Sequence, residues 1–118
     1  MRGLTVVVAT PDRLRVALEV AAAQAALGGR ARVFCQGEAV AALALPMRAA
    51  HDEDYRAAGL PTLATLFEEA SGLGVETIAC QSGMQLMGVD APLLDPRIGS
   101  GGLVSLMQAL GEDRLLIA

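Results

Sequence analysis

Short apolar runs alternate with helix-like segments along the whole chain. The first run, Leu4 to Ala9, is continuous and rich in β-branched residues, which is typical of a strand buried on both faces. Thr10 and Pro11 suit the N-cap and the first position of a helix, so a helix is predicted to begin there. Further strands are predicted at 31–35, 75–79 and 114–118, with a short one near Leu93, and further helices at 37–45, 61–72, after Cys80 and at 102–110.

The order strand, helix, strand, helix predicts an α/β protein with a parallel sheet and right-handed crossovers. The chain has 118 residues, the usual size of one domain, and we expect a single domain over 1–118. The segment from Pro46 to Leu60 lacks a clear period, because charged and small residues are mixed there. A long loop is predicted for it, of a kind that is usually functional or mobile.

Composition narrows the possible partners. The formal net charge is −4 at pH 7 and only nine residues are Lys or Arg, too few for the basic stripe of a nucleic-acid-binding surface. The longest apolar stretch, Val16 to Gly29, is interrupted by Glu19 and Gln24 and is too short to span a bilayer, so no membrane association is expected. The N-terminus lacks the layout of a signal peptide, which favours a cytoplasmic protein whose two cysteines are free thiols or redox groups.

Cys80 occupies the most informative position, at the end of the predicted strand 75–79 and at the start of a predicted helix. Backbone N–H groups and the positive end of the helix dipole would face the sulfur there and favour a thiolate. The residues alone leave two interpretations open, a reactive thiol or a small buried hydrophobic residue, and the pattern by itself favours the second.

The residues after Cys80 are candidates for supporting roles. The amide of Gln81 and the hydroxyl of Ser82 would donate to the sulfur or cap the helix. Gly83 would allow a partner or substrate to approach the sulfur closely. Met84, together with Met87 and Met107, has core-like spacing and is predicted to fill gaps beneath the site.

Several segments also carry a family resemblance. Gly59 to Leu63 leads into a helix, Gly74-Val75 opens the strand that ends Ile78-Ala79-Cys80, and Met84 to Val89 reads Met-Gln-Leu-Met-Gly-Val. This pattern resembles the DsrE/DsrF-like sulfur-relay family, and most closely its peroxiredoxin-like subgroup. The match is best over 60–89 and extends more loosely over most of the chain. This chain departs from the subgroup at Gly83, where Ser is more usual.

The resemblance implies a function and a fold. It implies a sulfur carrier in which Cys80 takes up sulfane sulfur as a persulfide or thiosulfonate and passes it to a partner protein, without a cofactor. Such a protein is sulfurtransferase-like, more a carrier than an enzyme with its own turnover. The implied fold is a three-layer α/β/α sandwich with a mainly parallel sheet of four or five strands, assembled as a homo-oligomer such as a trimer or hexamer.

Cys35 ends another predicted strand. If the first strand lies in the middle of the first three, Cys35 and Cys80 flank it roughly 9–10 Å apart, which is too far for a disulfide. Cys35 is therefore predicted to be a wall of the same crevice or a core residue, with a resolving thiol as the minor alternative. His51 and the acidic residues 52–54 do not form a metal-binding pattern, so no metal is predicted. A solvated loop is favoured for them, with support of Cys80 by His51 as the minor alternative.

Two further features give only a weak signal for anion binding. Arg13 and Arg15 lie at the start of the first predicted helix, where surface salt bridges are the favoured interpretation and attraction of an anionic sulfur compound is the minor alternative. The glycine-rich segment Gly99 to Gly102 resembles a phosphate cradle but lacks the lysine of a P-loop, so a turn packed near Cys80 is predicted. The alternatives to a sulfur carrier are a non-catalytic oligomeric scaffold with a structural cysteine and a small-ligand-binding subunit.

Overall fold

The computed structural model describes all residues from Met1 to Ala118. Its centre is a sheet of five strands, all parallel, in the order β4-β3-β2-β1-β5. The elements follow the chain as β1 (Leu4–Val8), α1 (Leu14–Ala26), β2 (Ala31–Cys35), α2 (Asp52–Ala57), α3 (Leu63–Gly72), β3 (Glu76–Cys80), α4 (Gln81–Met87), β4 (Gly99–Gly101), α5 (Leu103–Gln108) and β5 (Arg114–Ile117).

The adjacent strands β1 and β2 are buried along their whole length. Helix α1 packs on both of these strands and on α3. The chain adds β2, β3 and β4 one after another on one side of β1, and then returns to place β5 on the other side. Right-handed crossovers therefore put α1 and α3 on one face of the sheet and α5 on the opposite face. The predicted α/β sandwich with a mainly parallel sheet is confirmed.

The expected order of the first three strands is wrong. Strand β2, and not β1, lies in the middle, and Cys35 is directly opposite Ala79 of β3. The two crossovers step in the same direction, so each new strand is added beside the one before it. Cys35 and Cys80 thus lie on neighbouring strands, and the separation of two strand spacings does not apply.

The segment expected to be a long loop contains a helix. Residues Asp52–Ala57 form α2, with the acidic residues in its first turn, where the helix dipole favours negative charge. The Asp52 carboxylate accepts the backbone N–H groups of Ala49 and Leu63, which ties α2 to the start of α3. These contacts join residues up to eleven apart, so a search for periodicity within the segment misses them.

Three other local predictions need correction. The helix predicted over 37–45 is a 3₁₀ helix at Gly37–Leu43, and a 3₁₀ turn at Pro11–Arg13 precedes α1. The strand expected near Leu93 is also a 3₁₀ turn, while the predicted turn at Gly99–Gly101 is the edge strand β4. Met87 and Met107 are 39% and 50% exposed, so they do not fill the core as predicted. None of the helices is long and apolar enough to cross a membrane.

Candidate functional site

Strand β3 passes into α4 without an intervening loop, and Cys80 is the residue at the junction. It is the last residue of β3 and the N-cap of α4, with extended backbone angles (φ −65°, ψ 127°). Its sulfur therefore lies where the first N–H groups of a helix have no partner within the helix. Gly88 ends α4 in the left-handed conformation (φ 64°).

Four groups face the Cys80 sulfur. The hydroxyl oxygen of Ser82 lies 3.1 Å from Sγ, and the backbone N–H of Gly83 donates to Sγ over 3.4 Å. The backbone N–H groups of Ser82 and of Gly37, in the turn after β2, add to these hydrogen bonds. Burial raises the pKa of Cys80 and is the largest single effect, but these hydrogen bonds together outweigh it. The pKa of the thiol is therefore below its ordinary value.

The Gly37 turn reaches the sulfur because Gly83 has no side chain. A Cβ atom at Gly83 would lie 2.6 Å from the carbonyl oxygen of Gly37 and 2.8 Å from Cγ2 of Val40. Gly37 itself has a positive φ of 54°, which favours glycine. The space above Gly83 is thus filled by the chain's own 3₁₀ segment, Gly37–Leu43, and the expectation that Gly83 leaves room there for a substrate is wrong.

The predicted neighbours of Cys80 meet beside it. Gln81, Ser82 and Met84 line an open cleft of about 710 Å³ along α4, and Ser100 of β4 contributes to its far side. Cys80 itself is only 3% exposed, whereas Gln81 and Ser82 are exposed. The sulfur is therefore buried next to the cleft that the exposed residues of α4 line.

Cys35 has a different environment. It is fully buried in the core, and burial raises its pKa to about 12. Because Cys35 is opposite Ala79 and side chains alternate along a strand, Cys35 and Cys80 point to opposite faces of the sheet. Cys35 is therefore a core residue and not a wall of the Cys80 crevice. Both thiols are free.

The remaining residues that the sequence suggested for the site lie either next to Cys80 or in a separate cavity. Gly101 lies directly opposite Cys80 in the sheet, so the glycine-rich segment does pack near the thiol, as a strand. His51 instead lines a separate cavity with Arg13 and Arg15, and its Nδ1 atom is 3.2 Å from an Asp54 carboxylate oxygen. No group of three or more His, Cys, Asp or Glu residues has the arrangement of a metal site.

Gly37 is the site residue that sequence reasoning missed. Its only signal is its position, two residues beyond the end of β2 and at the start of a 3₁₀ helix. Its contact with Cys80 depends on β2 and β3 being neighbours, which the pattern along the chain does not reveal.

The sheet order and the layers define an α/β protein with a five-stranded parallel sheet between helices. The chain is similar over 100% of its length to the crystal structure of the YchN protein from E. coli, which is also covered completely, with a TM-score of 0.71 and 20% identity. It is similar in the same way to MTH1491 from Methanobacterium thermoautotrophicum, a protein of unknown function, with a TM-score of 0.69, 16% identity and 100% coverage of both chains. No family model and no curated protein matches the sequence.

Proposed function

We propose that this protein is a sulfur carrier of the DsrE/DsrF-like sulfur-relay family, with Cys80 as the residue that holds the transferred sulfur. The observation that carries the proposal is the convergence of the Ser82 hydroxyl and the N–H groups of Gly83 and Gly37 on one sulfur atom. These donors stabilise a thiolate, which is the nucleophile in thiol exchange and also the better leaving group.

The proposed chemistry moves one sulfur atom without net oxidation. The Cys80 thiolate attacks the outer sulfur of a donor persulfide, R–S–SH. The S–S bond of the donor breaks, the donor leaves as R–S⁻, and Cys80 carries an –S–SH group. A thiolate of an acceptor protein then attacks that outer sulfur, and Cys80 leaves as its thiolate.

Access to the sulfur needs a local opening, because Cys80 is 3% exposed. The exposed residues Gln81 and Ser82 follow the thiol in the first turn of α4, whereas Gly83 is the only buried residue of that helix. Movement of the two exposed side chains would open the sulfur to the cleft, while the backbone donors of Gly83 and Gly37 stay in place.

The carrier role is tested by intact-protein mass after incubation with polysulfide or thiosulfate. We expect wild type to gain the mass of one sulfur atom and to lose it on treatment with a reducing thiol. Cys80→Ser keeps an oxygen at the N-cap and should not gain the mass. The matched control is Cys35→Ala, which should load like wild type. Alanine is used because serine would place a hydroxyl in the apolar core.

A non-catalytic scaffold with a structural cysteine is the competing function, and the low exposure of Cys80 is the observation that favours it. Equal loading of wild type and Cys80→Ser, or no loading of any variant, would support the scaffold and contradict the carrier.

We also propose a cytoplasmic homo-oligomer. Two free thiols suit a reducing compartment, and apolar side chains are exposed on α5 and β5, with Val104 75% and Ile117 68% exposed. A second copy of the chain would cover them. Light scattering would contradict the assembly if it gave the monomer mass of 12.1 kDa at all concentrations.

A further inference from the structure

A second cavity lies at the carboxyl edge of the sheet, beside the end of β1. It has a volume of about 580 Å³, within the range of roughly 300–1,000 Å³ that small-molecule sites occupy. Its walls come from the 3₁₀ turn Pro11–Arg13, the start of α1, the 3₁₀ segment Gly37–Leu43 and the region 48–55. Ligands of open parallel sheets commonly bind at this edge.

The arginine side chains that have no partner within the protein line this cavity, although the protein as a whole is acidic. The chain has nine Lys or Arg residues, all of them arginine, and a net charge of −4. Arg13 and Arg48 are the two arginines whose side chains form no hydrogen bond or ion pair with another residue, and both line this cavity. The others donate to carboxylates, to backbone carbonyls or to Gln24.

Arg15 adds a donor that is already held in place. Its side chain is 10% exposed, its guanidinium stacks on the Tyr55 ring at 3.4 Å, and Nη1 donates to the carbonyl of Pro61 over 2.7 Å. The buried Nε atom has no hydrogen-bond partner, since the nearest carboxylate oxygen, on Glu19, is 3.6 Å away. A buried donor without an acceptor is unfavourable, so an acceptor atom of a ligand would be stabilised there.

The rest of the lining limits what the ligand can be. Val16, Ala41 and Ala42 form an apolar wall, which suits a compact organic body. Asp12 and Glu19 also line the cavity, and a hydrogen bond from Thr10 lowers the pKa of Asp12, so that carboxylate is charged at neutral pH. An anion without hydrogen-bond donors would lie beside these two negative charges without a favourable contact to either. A molecule with an oxyanion group and hydroxyl or amine donors would satisfy both sets of charges.

We propose that this cavity binds a small organic oxyanion, a phosphate or carboxylate carrying hydrogen-bond donors, through Arg13, Arg15 and Arg48. The site is distinct from Cys80. The 3₁₀ segment Gly37–Leu43 lies between them, because its first N–H donates to the sulfur while Ala41 and Ala42 line the cavity. Binding of the oxyanion does not depend on sulfur transfer at Cys80.

The test is a titration of the full chain followed by amide NMR. The probes are inorganic phosphate, adenosine monophosphate and gluconate, a carboxylate with hydroxyl donors, with adenosine as the uncharged control. We expect at least one organic anion to shift the amides of 11–16 and 48–55 saturably, and adenosine to shift them much less. The phosphate and carboxylate probes distinguish the two classes of oxyanion.

Arginine substitutions show which of the positive charges bind the oxyanion. The double variant Arg13→Gln/Arg48→Gln should weaken binding of that probe by at least about ten-fold, because a hydrogen bond to a charged group contributes about 1.5–3 kcal/mol. Arg56→Gln is the matched control, since Arg56 is an exposed arginine outside the cavity and paired with Glu53. It should bind like wild type.

Three outcomes would overturn the proposal. One is the absence of saturable shifts at probe concentrations up to about 10 mM, where a complex with a Kd near 1 mM would be nearly saturated. Another is equal weakening by Arg56→Gln and the double variant, which would mean general charge attraction. The third is equal binding of adenosine and adenosine monophosphate.

Discussion

The ends of β2 and β3 form a natural comparison within this molecule. Each strand ends in a cysteine, each is followed by a helical turn, and the two strands are neighbours in the sheet. Yet the pKa of Cys35 is raised to about 12 and that of Cys80 is lowered. Two cysteines at the ends of neighbouring strands therefore have pKa values shifted in opposite directions.

The difference comes from the face of the sheet and the supply of donors. Cys35 points into the core, where burial alone acts on its thiol. Cys80 is one position further along the register and points to the other face, where N–H groups of α4 and of the Gly37 turn reach it. The pKa of Cys80 is thus lowered because hydrogen-bond donors face its sulfur, and Cys35 has no such donors. Several residues make this comparison testable.

The largest expected effect is the difference in alkylation rate between the two thiols. Cys35→Ala leaves only Cys80, and Cys80→Ser leaves only Cys35. At pH 8 a thiol with a pKa of about 12 is ionised to roughly one part in 10⁴, while one with a pKa below 9.0 is ionised to at least about one part in ten. The less acidic thiolate is the stronger nucleophile, which offsets part of this ratio, so we expect Cys80 to react with iodoacetamide at least about 30-fold faster in the native protein.

The pH dependence of the alkylation rate shows whether the pKa of each thiol is raised or lowered. A lowered pKa moves the midpoint of the Cys80 rate below that of an ordinary cysteine, whereas the Cys35 rate should still rise at the highest pH that the fold tolerates. In denaturant the two variants should react equally, which controls for reagent and rate. Equal native rates, or a Cys80 midpoint above that of an ordinary cysteine, would remove the distinction between the two strand ends.

A smaller effect is expected from Gly83→Ser, which adds a side chain where the Gly37 turn approaches α4. Its Cβ would lie 2.6 Å from the Gly37 carbonyl oxygen, so the 3₁₀ segment must shift. Overpacking of this kind lowers the free energy of unfolding by about 1–3 kcal/mol. The shift would also remove the Gly37 N–H from the sulfur and raise the pKa of Cys80.

Denaturant unfolding and the pH profile of Cys80 alkylation measure these two effects of Gly83→Ser. Gly72→Ser is the matched control, because a Cβ atom at Gly72 meets nothing within 4 Å and its φ is not positive. Unchanged stability and an unchanged alkylation profile in Gly83→Ser would show that the Gly37 turn does not tune the thiol.

The comparison also separates what the sequence could predict from what it could not. The end of β3, the helix after Cys80 and the helix that follows Pro61 depend on residues a few positions apart, and such patterns are visible along the chain. The α/β class follows from the alternation of these elements. The Cys80 site was therefore predictable as far as its own strand and helix extend.

Contacts between strands were not predictable in the same way. The position of β2 beside β3 depends on the side to which each crossover turns, and no local pattern records that choice. The donor at Gly37 and the orientation of Cys35 both follow from that neighbourhood. For the same reason, the sequence marked Arg13 and Arg15 as possible anion ligands but not Arg48, which joins them only in the folded chain.

The smallest expected effect is that of Ser82→Ala, which removes one of the groups near the Cys80 sulfur and leaves the backbone donors in place. The Ser82 oxygen is 3.1 Å from Sγ, and its hydrogen bond lowers the pKa of Cys80. Loss of a hydrogen bond of about 1 kcal/mol corresponds to roughly five-fold less thiolate below the pKa. Alkylation of Cys80 near pH 7 should slow by about that factor, and Ser82→Thr should restore most of the rate. Because Ser82 is exposed, the alanine variant should also uncover the sulfur slightly. A faster reaction at all pH values would therefore mean that the Ser82 side chain blocks access to the sulfur and does not stabilise the thiolate. The difference in pKa between Cys80 and Cys35 would then come from the backbone N–H groups alone.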